Sequence, residues 1–579
     1  MLGSSRAGGA RLRAVSVLVC AASAAAVLAW TAAADGQGRQ GGTVTMLFAS
    51  DVDSIDPGVT YSNTGQMLAV ATQRSLLTYA PGDVSAPLPD LAAAAPVVSP
   101  DGLSVTVALK PGVRFSPPVS REVTSRDVKY AIERGFFRSV RTPYAQLYFS
   151  GITGARPDVP PGTTIPGIET PDDRTIVFHL DRPNAGTLIA AMVMTLTAPV
   201  PAEYAAQFDA QPRSTYGTHQ VATGPYMIRT DAQGNLVGYR AGRRIDIVRN
   251  PNWDPATDFR PARLDAIVIR SGNTNFVRAS RRILRGSSML SGDIFVPVNE
   301  LRRQFRSRRD QFAVAPAGSI QFMPLNTKLA PFDDINVRRA VLAGFDRVSF
   351  RRIAGGPLTG DIATHFIPPT VPGFAEAGGR AGPGVDFVSD LDGSRALAAH
   401  YLRRAGFRSG RYTGRRPINV LTAKDTTGRR VGRFVAGQLR RLGFRVRVRA
   451  LDFNAMFARC GNPRARVHAC PLFGWIRDFP DAQSVLDPLF NGRSILPEAN
   501  NNMAQLDVPA INAAIDAARA LADPAQRARA WAAVDRRITA QAPGVPLVWG
   551  RFVSVRSADT LGVINQSLAT WDLAHSALR

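Results

Sequence analysis

The sequence predicts an α/β protein built from more than one domain. Its 579 residues exceed what one hydrophobic core usually serves, so two or three domains are expected. Apolar residues make up 45% of the chain, which is typical of globular proteins. Segments with alternating apolar residues are interspersed with segments of helical periodicity, which indicates a mixture of strands and helices.

The first half contains strands followed by a helix. Residues 41–50 and 103–116 alternate apolar and polar side chains, so both are predicted strands. Residues 125–137 space their apolar side chains on one helical face, and Ser125 is the predicted N-cap of this helix.

The second half contains the clearest supersecondary unit. A helix beginning at Ser394 is followed by a strand at 418–423, a helix at 429–442 and a strand at 445–452. Short links between strand, helix and strand predict a βαβ crossover and therefore a parallel sheet. A later helix is predicted to begin after Asp523, a capping residue followed by proline.

The N-terminus has the pattern of an export signal. Three arginines precede an apolar run at 14–30, and small residues follow it. Cleavage is expected after Ala34. The run is also long enough for a membrane anchor. Cys20 could instead be a lipoprotein cysteine, although the preceding Val19 is bulky. Each alternative places the mature chain outside the cytoplasm, in the periplasm or on the outer face of the cell envelope.

The chain is strongly basic, with a formal net charge of +25. Only four of its 70 basic residues are lysines, and the arginines occur along the whole chain. This distribution argues against a nucleic-acid-binding stripe and favours a general preference for arginine over lysine. A basic surface would also help the protein to stay close to an anionic membrane.

Two cysteines remain after the predicted cleavage, Cys460 and Cys470. In an oxidising compartment such a pair predicts a disulfide, worth about 3 kcal/mol for so short a loop. The alternative is a metal site that also uses His468, although zinc sites usually have closer cysteine spacing and a fourth ligand.

Common enzyme motifs are missing from the sequence. No lysine follows a glycine, which excludes a phosphate-binding P-loop, and no His-Glu-x-x-His or mature Gly-x-Ser-x-Gly motif occurs. A triad dispersed along the chain stays open. The acidic group Asp51, Asp53 and Asp56 could hold a metal, but a strand followed by an Asp56-Pro57 turn explains it without one.

The stretch "CPLFGWIRDFPDA" at 470–482 raises a question about Asp478. The carboxylate could pair with Arg477 in a surface turn. It could instead lie beside an aromatic wall formed by Trp475 and receive a cationic ligand. Sequence chemistry alone leaves both interpretations open.

Seven segments in order resemble the extracellular solute-binding proteins of ABC importers, in the peptide/oligopeptide/nickel-binding family. The resemblance covers residues 41–556. It is carried by "GGTVTMLFASDVDSIDP" (41–57), "LPDLAAAAPVVSPDGLSVTVALKPGVRFS" (88–116), "TSRDVKYAIER" (124–134), "ATGPYMI" (222–228), "RNPNWDPATDFRPARLDAIVIR" (249–270), "LNTKLAPFDDINVRRAVLAGFDR" (325–347) and "GWIRDFPDAQSVLDPLF" (474–490).

The resemblance implies a two-lobed, periplasmic-binding-protein-like α/β fold of class II with an additional small α/β domain. Ligand is expected to be trapped between the lobes by hinge closure. The expected boundaries are 1–34 for the signal or anchor, 35–74 with 222–300 and 550–579 for lobe I, 75–221 for the small domain, and 301–549 for lobe II. Asp333 or Asp334 is expected to cap a helix in lobe II.

The resemblance also implies site residues. In peptide-binding relatives, the aspartate of Gly-Trp-x-x-Asp receives the α-ammonium of the ligand, and Gly474, Trp475 and Asp478 match that motif. A charge-assisted hydrogen bond of this kind contributes roughly 1.5–3 kcal/mol. Tyr61 and Asn63 occupy the segment that holds the ligand main chain in such relatives, although both could be ordinary turn residues.

One departure from the family pattern concerns the ligand carboxylate. Leu472 stands where an oligopeptide binder can have arginine. Lys424 and Arg429, at the end of the strand 418–423, are possible substitutes. The length of the ligand, and even its identity as a peptide, is therefore open.

The expected function is that of an exported, non-enzymatic receptor. It would capture short peptides and deliver them to an ABC permease and its ATPase subunits, as a monomer without a cofactor. One alternative keeps the receptor but changes the cargo to a metal chelate, a glycan or an amino acid derivative. A second alternative is an exported hydrolase with an unrecognised site.

Overall fold

The structure is a computed structural model that describes residues 38–579 apart from residues 141, 143, 295, 498 and 499. The predicted export signal, its cleavage site and Cys20 lie outside the described residues. None of the helices in the described part combines the length and apolar character needed to cross a bilayer.

The chain begins in the unit called lobe I here, which is built around a six-stranded sheet. Strand β1 (Thr43–Leu47) leads into an acidic loop, and helix α1 (Asn63–Thr72) follows. Ser62 caps this helix because its side chain accepts a hydrogen bond from the Gly65 amide.

The small domain follows. Its elements are β2 (Leu77–Ala80), β3 (Asp83–Pro89), β4 (Val97–Val98), β5 (Ser104–Ala108), α2 (Ser125–Arg134), β6 (Ile168–Asp172), β7 (Thr175–His179), α3 (Ala185–Ala191) and α4 (Ala202–Asp209). The antiparallel sheet has the order β4-β5-β7-β6. The predicted cap of α2 is off by one residue: Thr124 is the N-cap, and its amide donates to the Asp127 carboxylate at 2.7 Å.

The chain then returns to lobe I and completes its sheet. The elements are β8 (Tyr226–Ile228), β9 (Tyr239–Arg240), β10 (Arg244–Arg249), β11 (Ala266–Arg270), α5 (Phe276–Arg285) and β12 (Met289–Ser291). The sheet order is β12-β1-β11-β10-β8, with β9 paired to β10, and β1 runs parallel to both of its neighbours. Val44, Met46 and Phe48 point into one core, as their alternation predicts.

The remaining elements form lobe II and then return to lobe I. They are α6 (Val298–Gln304), β13 (Phe312–Pro324), α7 (Ile335–Ala343), α8 (Arg347–Ala354), β14 (Gly360–Ile362), α9 (Arg395–Arg404), β15 (Ile418–Ala423), α10 (Thr426–Arg441), β16 (Val446–Leu451), α11 (Phe453–Cys460), β17 (Phe473–Ile476), α12 (Gln483–Phe490), α13 (Pro509–Ala520), α14 (Pro524–Ala540), β18 (Gly544–Val555), β19 (Thr560–Asn565) and β20 (Thr570–Leu578).

The local predictions for lobe II are confirmed. Strands β15 and β16 pair in parallel around α10, which gives the βαβ unit. The side chains of Ser394, Asp334 and Asp523 each accept a backbone hydrogen bond at the start of a helix. Helix α10 begins three residues earlier than predicted because Asp425 caps it through the Gly428 amide.

Two long antiparallel strands, β13 and β18, join the lobes. They pair from Phe312 opposite Val555 to Pro324 opposite Gly544. Val555 packs in a lobe I cluster, whereas the far end of the ribbon packs in the lobe II core. The register shifts after Pro316, where Gly318 has a φ of +58°, a conformation that favours glycine. The ribbon is therefore the connection about which the lobes can hinge.

The C-terminal hairpin returns to lobe I. Trp571 and Leu573 of β20 pack in the same core cluster as Val44 of β1. The hairpin turn also contacts the first helix, since the Asn63 side chain donates to the Leu568 carbonyl at 3.4 Å. Lobe I is thus assembled from both ends of the described chain, while the expected domain boundaries stay a prediction.

Candidate ligand-binding site between the lobes

Asp478 lies where lobe II meets the small domain and lobe I. It follows β17, which pairs with the connecting strand β13. Its partly buried carboxylate accepts hydrogen bonds from the hydroxyls of Tyr148, in the helical turn Ala145–Phe149 of the small domain, and of Tyr61, in lobe I. One acidic side chain of lobe II therefore joins three parts of the molecule.

Aromatic rings surround this carboxylate. Tyr61 stacks on Tyr144 with 5.3 Å between ring centroids, and Tyr148 meets Phe479 edge-on at 4.9 Å. Tyr144 and Tyr148 are buried, whereas Tyr61 is 47% exposed. We call Asp478 with these four rings the tyrosine cluster. A carboxylate with aromatic rings close by is an arrangement that suits a cationic group.

The electrostatics of Asp478 also favour a cationic ligand. Burial raises the pKa of Asp478 to about 6, although the hydrogen bonds from Tyr148 and Tyr61 oppose that rise. Burial and the nearby Asp478 charge hold the pKa of Tyr148 well above its usual value, so its hydroxyl stays a neutral donor. Among the described residues, no lysine or arginine forms an ion pair with Asp478. The carboxylate is therefore desolvated without a cationic partner.

The loop that carries Tyr61 is held by Asp53. The Asp53 carboxylate accepts hydrogen bonds from the Tyr61 amide at 2.5 Å, the Ser62 hydroxyl at 2.5 Å and the Thr60 hydroxyl at 2.8 Å. Burial opposes ionisation here, but these bonds keep the pKa of Asp53 below its usual value. Asp53 thus fixes the backbone from which Tyr61 reaches Asp478.

The three acids of this first loop have separate structural partners. Asp51 accepts from the Tyr239 hydroxyl at 3.0 Å and from the Gly242 amide at 2.6 Å. Asp56 pairs with the buried Arg134. The turn interpretation of this acidic group therefore accounts for each carboxylate in the structure.

Gly474 and Trp475 belong to β17. The Trp475 indole donates to the Ser484 carbonyl at 2.7 Å and packs partly against the lobe II core. In the described part of the chain, the aromatic rings near the Asp478 carboxylate are those of the tyrosine cluster, and Trp475 is not one of them. Gly474 is exposed, and nothing but the Ile320 carbonyl, at 3.7 Å, lies near the position of a Cβ. Their contact with a ligand stays a prediction.

Arg477 does not pair with Asp478. Its guanidinium is buried and donates to the Thr370 hydroxyl at 2.6 Å and, across the lobes, to the Gln566 carbonyl at 2.6 Å. Burial lowers its pKa to about 10. A Cβ at Gly318 would lie 2.5 Å from the guanidinium carbon, so the glycine makes room for it. Arg477 therefore ties lobe II to the C-terminal hairpin of lobe I.

The other predicted site residues are more dispersed. Asn63 is the first residue of α1 and contacts the C-terminal hairpin. Lys424 is exposed and pairs with Asp452 at 2.6 Å, and the exposed Arg429 donates to the Lys424 carbonyl at 2.7 Å. No contact in the described structure joins Lys424 or Arg429 to the tyrosine cluster. Their role toward a ligand carboxylate stays a prediction.

The space beside Asp478 is small in this arrangement of the lobes. A cavity of about 30 Å³ lies between the lobes, enough for about one water molecule. It is lined by Gln66, Val70, Thr78, Tyr79, Val193, Met194, Asp478, Phe479, Asn565, Ser567 and Leu568. Any larger ligand requires the lobes to move apart, and the β13–β18 ribbon provides a connection for that movement.

The predicted disulfide is confirmed. Cys460, at the end of α11, is bonded to Cys470, three residues before β17. Because both sulfurs are used in this bond, the alternative metal site with His468 loses its thiolate ligands. The disulfide anchors the segment that leads to Asp478.

Sequence reasoning missed most partners of Asp478. Tyr144 and Tyr148 are four residues apart, a spacing that places two rings on one side of a helical turn. That spacing was the available signal, but it does not identify the carboxylate that the tyrosines approach. The cross-lobe role of Arg477 had no signal in the sequence.

Comparisons with known proteins agree with this architecture. The model of the bacterial extracellular solute-binding proteins, family 5, matches residues 86–496. The chain is similar to the di/tripeptide-binding protein 2 of Pseudomonas aeruginosa, with 26% identity over 486 residues, 82% of this chain and 83% of that protein. It is 23% identical to heme-binding protein A of Haemophilus influenzae over 463 residues, 78% of this chain and 77% of that protein.

A solved structure gives the same result. The clavulanic acid biosynthesis oligopeptide binding protein 2 matches with a TM-score of 0.80 and 28% identity, over 93% of this chain and 96% of that protein. The predicted two-lobed α/β fold and the predicted family are confirmed. The chain belongs to the bacterial extracellular solute-binding proteins of family 5.

Proposed function

We propose that this protein is the substrate-binding component of an ABC importer that captures short peptides through their free amino terminus. Asp478 binds the α-ammonium, and the tyrosine cluster encloses it. The peptide is held between the lobes and delivered to a membrane permease driven by ATPase subunits. The protein acts by binding, without turnover, as an exported monomer.

The observation that carries the proposal is the environment of Asp478. This carboxylate lies between the lobes among aromatic rings, and only tyrosine hydroxyls donate to it in the described structure. Removing a carboxylate from water is costly unless a cation accompanies it. A ligand ammonium would supply that cation and lower the pKa that burial has raised.

The main chain of the peptide has two neighbouring supports. Gly474 lies on β17, which is an edge strand among the described residues and leads to Asp478, and the Asp53-held loop presents Tyr61 on the opposite lobe. Backbone hydrogen bonds to an extended peptide give affinity without reading its side chains. The names of the relatives, one binding di- and tripeptides and one binding oligopeptides, fit this kind of cargo.

A thermal-shift experiment tests the proposal. Di- to hexapeptides with a free amino terminus are expected to raise the melting temperature, because a ligand that binds only the folded state stabilises it by mass action. The same peptides with an acetylated amino terminus are the matched control and should give little or no shift. Stabilisation by heme, a metal chelate or a sugar but not by peptides would replace the proposed cargo. Equal shifts with acetylated peptides would show that the ammonium group is not recognised. Turnover of a tested compound would show that the protein is an enzyme.

Peptide affinity is expected to fall on acidification. Because the pKa of Asp478 is raised to about 6, the carboxylate becomes protonated below that pH, while the peptide ammonium stays charged. Affinity should be constant above about pH 7 and decrease by about tenfold per pH unit below about pH 6. Calorimetric titrations between pH 5 and pH 8 measure this, and Asp478→Asn should show a flat profile. A flat profile for the unmodified protein would contradict the assignment.

The free energy of unfolding of the ligand-free protein should change with pH in the direction opposite to peptide affinity. Since burial raises the pKa of Asp478 above its ordinary value of 3.8, the ionised form is disfavoured in the fold. The stabilisation associated with its protonation is complete below the unfolded pKa and is lost as the pH rises through about 6.

A further inference from the structure

The positive charge of the chain is concentrated in one part of lobe II. Residues 394–466 contain nineteen of the 70 basic residues but only two of the 45 acidic residues, Asp425 and Asp452. This stretch therefore carries +17 of the net charge of +25. A preference for arginine over lysine changes the kind of basic residue but does not remove acidic ones. The depletion of carboxylates needs another explanation.

All nineteen basic side chains are exposed. Elsewhere in the chain, Arg74, Arg134 and Arg347 are fully buried, which shows that arginine can be used in the interior of this fold. Among the described residues, Lys424 is the only one of the nineteen that pairs with an acidic side chain. The other eighteen present their charge to solvent.

The charges lie on adjoining elements. On α10, Arg430, Arg433 and Arg441 fall within an arc of roughly 80°, at 3.6 residues per turn. On β16, whose neighbour among the described residues is β15, Val448 points toward Gly432 of α10, so Arg447 and Arg449 point to the opposite side of the strand. We call the side of residues 394–466 that presents Arg447 and Arg449, away from α10, the basic face.

The basic face also contains apolar groups. A groove of about 520 Å³ is lined by Arg449, Arg459 and Arg464 together with small or apolar side chains such as Ala458. At the start of α11, the helix that contributes Ala458 and Arg459 to this groove, Phe453 is 57% exposed. Guanidinium groups bind phosphates in a bidentate manner, and an exposed aromatic ring can enter the headgroup region of a bilayer.

We infer that the basic face docks on an anionic phospholipid membrane. A flat polyanionic surface can contact arginines that are spread over a helix and a strand, and Phe453 adds an apolar contact that phosphate alone would not need. Each arginine near such a surface increases binding several-fold, and salt weakens the attraction. Docking would hold the receptor at a membrane surface independently of the ligand that it carries.

Vesicle sedimentation tests this inference with the purified full chain. Vesicles of phosphatidylcholine with about one third phosphatidylglycerol are compared with vesicles of phosphatidylcholine alone, at low salt and at high salt. We expect at least about tenfold stronger binding to the anionic vesicles at low salt, and most of that difference should disappear at high salt.

Two triple variants distinguish the contribution of the basic face to vesicle binding from the effect of net charge. The test variant carries Arg449→Gln, Arg459→Gln and Arg464→Gln, the three arginines that line the groove of the basic face. The control carries Arg278→Gln, Arg282→Gln and Arg285→Gln, three exposed residues of α5 in lobe I. Both variants lose three charges from exposed side chains and should keep the melting temperature.

The test variant should lose at least about fivefold in binding to anionic vesicles, and the control less than twofold. Phe453→Ser should weaken binding at low salt as well. Equal binding to both kinds of vesicle would overturn the inference. Equal losses in the two triple variants would overturn it too, as would tight binding to DNA or to an acidic protein without binding to vesicles.

Discussion

Asp478→Asn is expected to weaken the binding of a free-amine peptide by about 2 kcal/mol or more, which is roughly thirtyfold. The substitution keeps the size of the side chain but removes the charge that the ammonium would meet between the lobes. The hydroxyls of Tyr148 and Tyr61 can still bond to the amide oxygen, so the change isolates the ionic part of the interaction. Calorimetric titration at pH 7.5 measures it.

Two further variants control for this result. Asp516→Asn removes an exposed carboxylate of lobe II that pairs with Arg493 on the surface, and peptide affinity should not change. Tyr148→Phe keeps the buried ring but removes one hydrogen bond to Asp478, so a smaller loss is expected. Unchanged affinity in Asp478→Asn would exclude this residue from the site, whatever the cargo.

Arg134→Met is expected to lower the free energy of unfolding by about 3–5 kcal/mol, the cost of leaving buried charges uncompensated. The fully buried guanidinium forms two hydrogen bonds with Asp56 at 2.9 and 2.8 Å, and two with Asp209 at 2.8 Å each. Because Asp56 belongs to lobe I and Arg134 to the small domain, the variant also loosens that junction. Urea unfolding measures the change.

The matched control lies on the same helix. Arg126 pairs with Asp173 at 3.6 Å, but both side chains are well exposed. Arg126→Met should therefore cost less than about 1 kcal/mol. If the two variants were destabilised to the same extent, the buried network would not be the reason for the stability of this junction.

The local elements were largely predictable. Capping side chains at Ser394 and Asp523, and the strand–helix–strand pattern after residue 418, act within a few residues, so sequence spacing specifies them. The errors were of the same local kind: Thr124 instead of Ser125 caps α2, because the Asp127 carboxylate selects the amide of the earlier residue.

The site was predictable only in part. The motif that contains Asp478 could be recognised, but the side chains that surround its carboxylate could not. Tyr148 is 330 residues away in sequence, and Arg477, the nearest candidate for an ion pair, instead donates across the lobes to the Gln566 carbonyl. No short-range rule chooses between these partners.

The sequence by itself determined the local elements, the α/β class and the cysteine pair, and it contained the motif that includes Asp478. Only the tertiary structure decided that Asp478 lies among tyrosines without a basic partner in the described chain, and that its lobe is tied to the C-terminal hairpin through Arg477. The physical reason is the distance along the chain over which each interaction acts. Capping and periodicity depend on neighbours within one or two turns, whereas the desolvation of a charge depends on everything that the fold brings around it.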